Sequence, residues 1–281
     1  MSTTDPTARF GINSFSLVGR RVLVTGGTRG IGAAIACGIA AVGGDVLITG
    51  FGDDDAGSDT LAKCRQHDVR ASAMEIDMSR PPTDWLDEFI VAVDEQLPGI
   101  DCIVNNAGMF GEPGFLDVTA PTYDKTMNLN VAAGYFITQA FSRRWIQSHV
   151  RGRVVFTGSI NGQLSEPGHS VYDTSKGAVA AMVRSLCVAL APHGIRVNSM
   201  APGLIRTPLT EMVFRDNHSE SWMKRHTPNG KVPSADACVG ATIFLLSDAA
   251  DHIHGQTLMV DGGMSAWQQP DPPRREDSSP G

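Results

Sequence analysis

What this chain lacks narrows it before any motif is considered. Its 281 residues hold five cysteines, Cys37, Cys64, Cys102, Cys187 and Cys238, with no Cys-x-x-Cys among them. An odd number at scattered spacing builds neither a disulfide framework nor a zinc site, so they read as reduced packing residues. Basic residues are the minority: 23 Lys and Arg against 30 Asp and Glu give a formal charge of −7. Binding a phosphate backbone calls for a basic face and none is evident, so nucleic acid is not an expected partner. No apolar run approaches the roughly eighteen residues that span a bilayer, and the N-terminus is polar. Neither signal peptide nor membrane anchor is expected, and the cytoplasm is the expected compartment. His67, His149, His193, His252 and His254 lack partner acids or cysteines at ligand spacing, so no metal is expected.

Linkers and repeats are missing too. No Pro/Ser-rich stretch interrupts the chain before residue 266, which predicts one domain over 12–267. Residues 1–11 and the proline-rich tail 268–281 read as disordered. Between them, strands are expected at Arg21 to Thr25, Asp45 to Thr49, Ala71 to Ile76, Ile100 to Val104, Arg153 to Thr157, Ile195 to Met200 and Thr257 to Val260, with helical patterns between most of them. That alternation predicts an α/β fold, a Rossmann-type doubly wound parallel sheet of about seven strands with helices on both faces. Ligands of such sheets bind beyond the carboxyl ends of the strands.

Chemistry-bearing residues gather at those ends. After the first strand comes Thr25-Gly26-Gly27-Thr28-Arg29-Gly30-Ile31-Gly32, which then opens a helix expected over Ala33 to Ala41. Glycines let a backbone approach a pyrophosphate, and helix-start N–H groups attract the anion. Asn105-Asn106-Ala107-Gly108 follows the fourth strand, and Asn130 lies at the start of a long apolar-periodic helix. Ser159, Tyr172 and Lys176 stand thirteen and then four residues apart. A four-residue step places Tyr172 and Lys176 on one helix face, so the ammonium can sit beside the phenol and make it a usable base. Ser159 can donate to an oxygen that gains negative charge.

In their order along the chain these motifs, with Pro202-Gly203-Leu204-Ile205-Arg206-Thr207 and Val260-Asp261-Gly262-Gly263, resemble the short-chain dehydrogenase/reductase family in its compact single-domain form, over about residues 17 to 265. The resemblance implies an NAD(P)-dependent oxidoreductase that interconverts a secondary alcohol or lactol and a carbonyl by hydride transfer. By match, Tyr172 is the acid/base, Lys176 lowers its pKa and holds the nicotinamide ribose, and Ser159 orients the substrate oxygen. Counting back from Tyr135 favours Asn130 over Asn128 as the family's helix asparagine, which supports a water leading protons to the lysine. The cofactor contacts implied are Gly26, Thr28, Arg29, Gly30, Ile31, Gly32, Phe51, Asp77, Met78, Asn106, Ala107, Gly108, Tyr172, Lys176, Pro202, Gly203, Ile205 and Thr207. Assembly as a homotetramer, through the helices around Val131 to Ser148 and Tyr172 to Leu190 and the last strand, is implied in the same way.

The family's NAD-type acid would stand at Gly50, where it is missing, and Arg29 fills the basic position that favours NADP. NADP is therefore expected, with NAD the alternative because Asp53, Asp54 and Asp55 follow closely. For the small-molecule substrate, the polar segment with Asn161, Gln163, Glu166 and His169 suits a polyhydroxylated ligand, and Ser159, Asn161 and Tyr172 are its expected contacts. The segment resembles sugar-oxidising members and also 3-oxoacyl thioester reductases. Thr207 to about Lys231 is expected to be a mobile lid, with Met212, Phe214, Trp222 and Met223 as apolar contacts. Its Arg206, Arg215, Lys224, Arg225, His218 and His226 read as anion-recognising or merely solvated. A non-catalytic dinucleotide sensor is the alternative of another class, disfavoured because Tyr172 and Lys176 are both kept. An extended-form epimerase is disfavoured by Val-Asp-Gly-Gly and the lack of a separate C-terminal substrate domain.

Overall fold

A computed structural model of the chain describes residues 11–52, 55–111, 113–214 and 217–267, apart from the side chains of 212, 213 and 217. Of the ends expected to be disordered, 1–11 and 268–281, all but Gly11 lie outside the described residues, as do Asp53, Asp54 and Arg215.

Seven parallel strands form one sheet in the order β3-β2-β1-β4-β5-β6-β7. They are β1 (Arg21–Val24), β2 (Asp45–Gly50), β3 (Ala71–Glu75), β4 (Cys102–Asn105), β5 (Arg153–Thr157), β6 (Arg196–Pro202) and β7 (Thr257–Val260). Among the described residues eight α-helices accompany them: α1 (Gly30–Ala41), α2 (Ala56–Arg65), α3 (Leu86–Gln96), α4 (Ala120–Met127), α5 (Ala133–Gln147), α6 (Ser170–Leu190), α7 (Asn217–Arg225) and α8 (Val239–Leu246). The central strands are short, β-branched-rich and buried along nearly their whole length, as a sheet covered on both faces requires. Alternate strand residues feed two cores. Leu23, Leu47, Ile103, Val154 and Val197 pack against α3, α5 and α6. Val22, Val46, Val104 and Val155 pack against α1 and α8.

Strand ends differ from expectation for local reasons. β4 begins at Cys102 rather than Ile100 because the Asp101 carboxylate turns to accept the Arg21 N–H at 2.8 Å and the Arg20 guanidinium at 2.9 Å. β6 runs on to Pro202, which pairs with Val260. Helix α1 starts at Gly30, three residues early, so the motif glycines form its first turn. One expectation about apolar runs is corrected. Helix α6 and its terminal turn, Ser170–His193, are long and apolar enough by length and composition to cross a bilayer, with 28% of the critical 18-residue window buried. Asp173, Lys176 and Arg184 break the run into pieces, which is why no continuous apolar stretch stands out in the sequence.

Strand order reverses between β1 and β4, so the loops after these two strands diverge and leave a crevice at the top of the sheet. Below, at the amino ends of β5 and β6, the buried guanidiniums of Arg153 and Arg196 donate to the carbonyls of Leu246, Ser247 and Ala250. Arg153 also pairs with Asp248.

Candidate active site

The crevice is a cleft of about 540 Å³ that runs from the glycine turn after β1 to Tyr172 and Lys176 on α6. Gly26, with φ +63°, brings its backbone so near the loop after β4 that an added Cβ would lie 2.9 Å from Ala107 Cα. At Gly32 an added Cβ would stand 2.1 Å from the Gly26 carbonyl oxygen, so the first turn of α1 packs directly on the strand exit. Gly30 has φ +59°, and no side chain of Arg29 caps the helix. The first-turn N–H groups of α1 are thus presented to the cleft without a side-chain acceptor at the cap, a fit for an anionic phosphate.

One asparagine ties the strand ends together. Asn106 Nδ2 donates to the carbonyls of Thr25 and Gly26, both at 3.0 Å, while its Oδ1 accepts from Thr157 Oγ1 at 3.1 Å. Thr25 Oγ1 in turn accepts the N–H groups of Asn106 and Ala107 at 3.0 Å. Neither Thr25 nor Thr157 is among the residues expected from the sequence. Thr25 stands in the sequence as the first residue of the glycine motif, whereas Thr157 is marked only as the end of a strand, two residues before Ser159.

Fifteen of the expected cofactor contacts line the cleft, from Gly26, Thr28, Arg29, Gly30 and Ile31 through Phe51, Asp77, Met78, Asn106, Ala107 and Gly108 to Tyr172, Lys176, Pro202 and Thr207. Three stand behind its wall. Gly32 acts through the close approach just described. Gly203 donates its N–H to Val260, and an added Cβ would meet Asp261 Cβ at 2.7 Å. Ile205 is buried in the core under α1. Burial pushes the Asp77 carboxyl up, but the Ser79 hydroxyl and N–H, with Arg80 and Lys125, outweigh it and hold the group below its usual range. Lys125 also lines the cleft, although nothing in its sequence setting distinguishes it from a solvated helix lysine.

At the inner end, Ser159 sits at the exit of β5 and is hydrogen bonded to Tyr172. Lys176 is 6% exposed, donates to the Thr157 carbonyl at 2.9 Å, and lies 5.6 Å from the centre of the Tyr172 ring. The electrostatics depart from the expectation drawn from spacing, in which Lys176 lowers the phenol. Burial is the largest influence on the Tyr172 phenol and pushes its pKa up, the Ser159 hydrogen bond pulls it down, and the carboxylates of Glu166 and Asp173 raise it further. Together these influences hold the phenol above its ordinary value: Lys176, which burial brings down to about 8, lies over the ring, and the Ser159 hydroxyl is the group that lowers it.

Asn130 lies in a π-helical turn, Asn128–Ala132, that joins α4 to α5. Its amide bonds both the N–H and the carbonyl of Met109, at 2.8 and 3.1 Å, and donates to Ser175 Oγ at 3.0 Å. Ser175 Oγ donates to the Tyr172 carbonyl at 2.7 Å, so Asn130 braces the loop after β4 against the face of α6 that carries Tyr172. Asn128 instead donates to the Ser79 carbonyl.

The expected substrate contact Asn161 is placed differently. It is 5% exposed, with its backbone N–H and its Oδ1 on Ser159 Oγ at 3.1 and 3.3 Å and its Nδ2 on Asp173 Oδ1 at 2.7 Å. Its polar atoms are occupied within the protein, and it reaches the Tyr172 end of the cleft only through Ser159. Phe110 walls the same end, 5.1 Å edge-on from Tyr172 and 4.5 Å from the His169 ring. In the expected lid, Arg206 lies 4.2 Å from the Phe214 ring centre and 3.2 Å from Glu220, which also holds Lys224 at 2.8 Å. These cations are engaged with lid groups. Met223 is buried, and Trp222 stacks on His226. Among the described residues no three His, Cys, Asp or Glu side chains gather to hold a metal ion.

Comparison with known proteins agrees with this geometry. A family model described as enoyl-(acyl carrier protein) reductase matches residues 26–265. A gluconate 5-dehydrogenase of Gluconobacter oxydans is 33% identical over 251 residues, covering 89% of this chain and 96% of that protein. An L-rhamnose 1-dehydrogenase (NADP(+)) of Thermoplasma acidophilum is 30% identical over 246 residues, covering 88% and 96%. The crystal structure of a gluconate 5-dehydrogenase from Burkholderia cenocepacia in complex with NADP and tartrate superposes with a TM-score of 0.84 at 29% identity, over 91% of this chain and 99% of that one. On fold, motif order and relatives together, the chain belongs to the short-chain dehydrogenase/reductase family of NAD(P)-dependent oxidoreductases acting on CH–OH groups.

Proposed function

We propose that the protein is an NADP-dependent dehydrogenase of a sugar or sugar acid, with Tyr172 as its acid/base. The observation that carries this is Tyr172 hydrogen bonded to Ser159 at the inner end of a cleft whose other end is the glycine turn. A nicotinamide held in the cleft would supply or accept the hydride, and the chain's own residues handle the proton. Tyr172 takes or returns it at the phenol oxygen, Ser159 orients the substrate oxygen, and Lys176 holds positive charge beside them. The activities of the relatives, a gluconate 5-dehydrogenase and an L-rhamnose 1-dehydrogenase, favour a polyhydroxylated substrate.

NADP over NAD is supported by packing. An added Cβ at Gly50 would lie 2.4 Å from Thr28 Cγ2, so the acid that selects NAD has no room on the end of β2. Arg29 lines the cleft beside Phe51, whose carbonyl its guanidinium approaches at 3.4 Å. A homotetramer in the cytoplasm completes the proposal. Exposed apolar residues on the expected interface elements support it: Tyr135 and Phe136 on α5, Val188 on α6 and Leu258 on β7. Light scattering on the purified protein tests the assembly, and a monomer would refute it.

The decisive experiment is a spectrophotometric screen of aldonates, aldoses, polyols and 3-oxoacyl thioesters with both nicotinamide cofactors. Turnover of sugars or sugar acids with NADP is expected. Turnover confined to 3-oxoacyl thioesters would overturn the substrate class, and a strong preference for NAD would overturn the cofactor.

A further inference from the structure

The Ser159 hydroxyl has one proton and two oxygens that want it. Its Oγ already accepts the Asn161 N–H at 3.1 Å. Its proton can go to Asn161 Oδ1, 3.3 Å away, or to the phenol oxygen of Tyr172. Which way the Asn161 amide faces therefore matters, and a carboxylate settles it. Asp173 can only accept, so the Asn161 amide must turn its NH₂ toward Asp173 Oδ1, at 2.7 Å, and its oxygen toward Ser159. The other Asp173 oxygen is fixed by the Glu166 N–H at 3.0 Å, which locks the carboxylate in place. Asp173 is one residue from Tyr172 on α6, yet it bonds only the polar segment that follows β5.

We propose that Asp173 is a positioning residue that, through the orientation of Asn161, draws the Ser159 proton away from Tyr172. This rests on the acid/base assignment of Tyr172. Among the described residues the charged groups facing the phenol are Lys176 over its ring, Asp173 and Glu166, and His169, which lies across Phe110 and 3.9 Å from Glu166. With the proton on Asn161, Ser159 offers the phenol only a lone pair and favours its neutral form. With the proton on the phenol oxygen, it favours the phenolate that accepts a proton from an alcohol. Asp173 thus holds the site toward the protonated, carbonyl-reducing form, and a bound substrate oxygen competes with Asn161 for the same proton.

The test is titration of Tyr172 itself. The chain has only three tyrosines, so isotope-labelled tyrosine gives three ring signals in NMR, and Tyr172→Phe assigns the one that matters. In Asp173→Asn the new amide can accept from Glu166 and donate to Asn161, which turns over and leaves the Ser159 proton only the phenol. Tyr172 should then titrate about one unit lower, the scale of one hydrogen bond to a charged oxygen. The acid limb of the kcat profile for alcohol oxidation should move by the same amount. Asn161→Leu, which removes the competing oxygen but keeps the Asp173 charge, should also lower it. The exchanged pair Asn161→Asp with Asp173→Asn keeps every hydrogen bond and leaves a stronger acceptor on Ser159, so its titration should lie above that of the wild type. An unchanged Tyr172 titration in Asn161→Leu, or a downward shift in the exchanged pair, overturns the proposal. Turnover retained by Tyr172→Phe would instead remove the acid/base assignment and leave the titrations to stand by themselves.

Discussion

At the scale of single residues, the site sets two groups against their own burial. Tyr172 is driven toward its neutral form by desolvation and Ser159 counters this only when its proton is turned to the phenol, while Lys176 is buried as a cation with the Thr157 carbonyl as its hydrogen-bond partner. Tyr172→Phe should abolish turnover and leave cofactor affinity within a few-fold, as measured by steady-state kinetics and fluorescence titration. Lys176 makes a prediction about stability. Its folded pKa of about 8 lies below the ordinary lysine value of about 10.4, so the unfolded chain binds the extra proton between the two and stability rises with pH across that window. Lys176→Met should therefore inactivate the enzyme yet raise stability near pH 7 by up to about 3 kcal/mol, seen as a higher Tm, with the advantage shrinking between about pH 8 and 10. Thermal melts across that range check the sign. Tyr172 and Lys176 were legible because a helix has a fixed repeat. Asn161 was not, since the path of residues 159–169 decides whether it meets substrate or Asp173.

Among the elements, the first helical turn of α1 shows how little tolerance the cleft leaves. Gly32→Ala would drive its methyl into the Gly26 carbonyl, a backbone atom that β1 and Asn106 hold in place. Loss of NADP binding by at least about 100-fold, with a lower Tm, is the expected result of calorimetry and melting. The sequence marked the glycines and the strand centres well, because buried parallel strands are apolar throughout and glycine-rich turns stand out. It located element ends less well. Asp101 cut β4 short through bonds to residues eighty positions away, and Pro202 extended β6 because Val260 lies beside it. Such pairings depend on tertiary neighbours that no local window contains. The π-helical turn at Asn128–Ala132 was equally hidden, since its register follows from the bonds of Asn130 to Met109 and Ser175.

Over the whole molecule, the two ends of the sheet divide the work. The carboxyl ends hold the cleft, while the amino ends of β5 and β6 carry two buried guanidiniums that fasten the segment between α8 and β7. Burial, with repulsion from Arg153, brings Arg196 down to about 10. Arg196→Ala strands the carbonyls of Ser247 and Ala250 and should destabilise the fold by about 3 kcal/mol, read from denaturant unfolding, while kcat per folded molecule is unchanged. The overall architecture was the most legible level, because alternating strands and helices with short connections admit few topologies. The arginine clamp was not, because a charged residue at a strand start gives no sign of what it will reach.

Asn106 grips the exits of β1 and β5 from the loop after β4, so these three strand ends form a single rigid frame. Lengthening or shortening any one of them would unseat the other two, and the coenzyme pocket is effectively frozen. Room for new chemistry is left to the stretches that this amide does not hold, residues 160–169 and 204–231. A designer wishing to retarget the enzyme should graft there and leave the frame untouched.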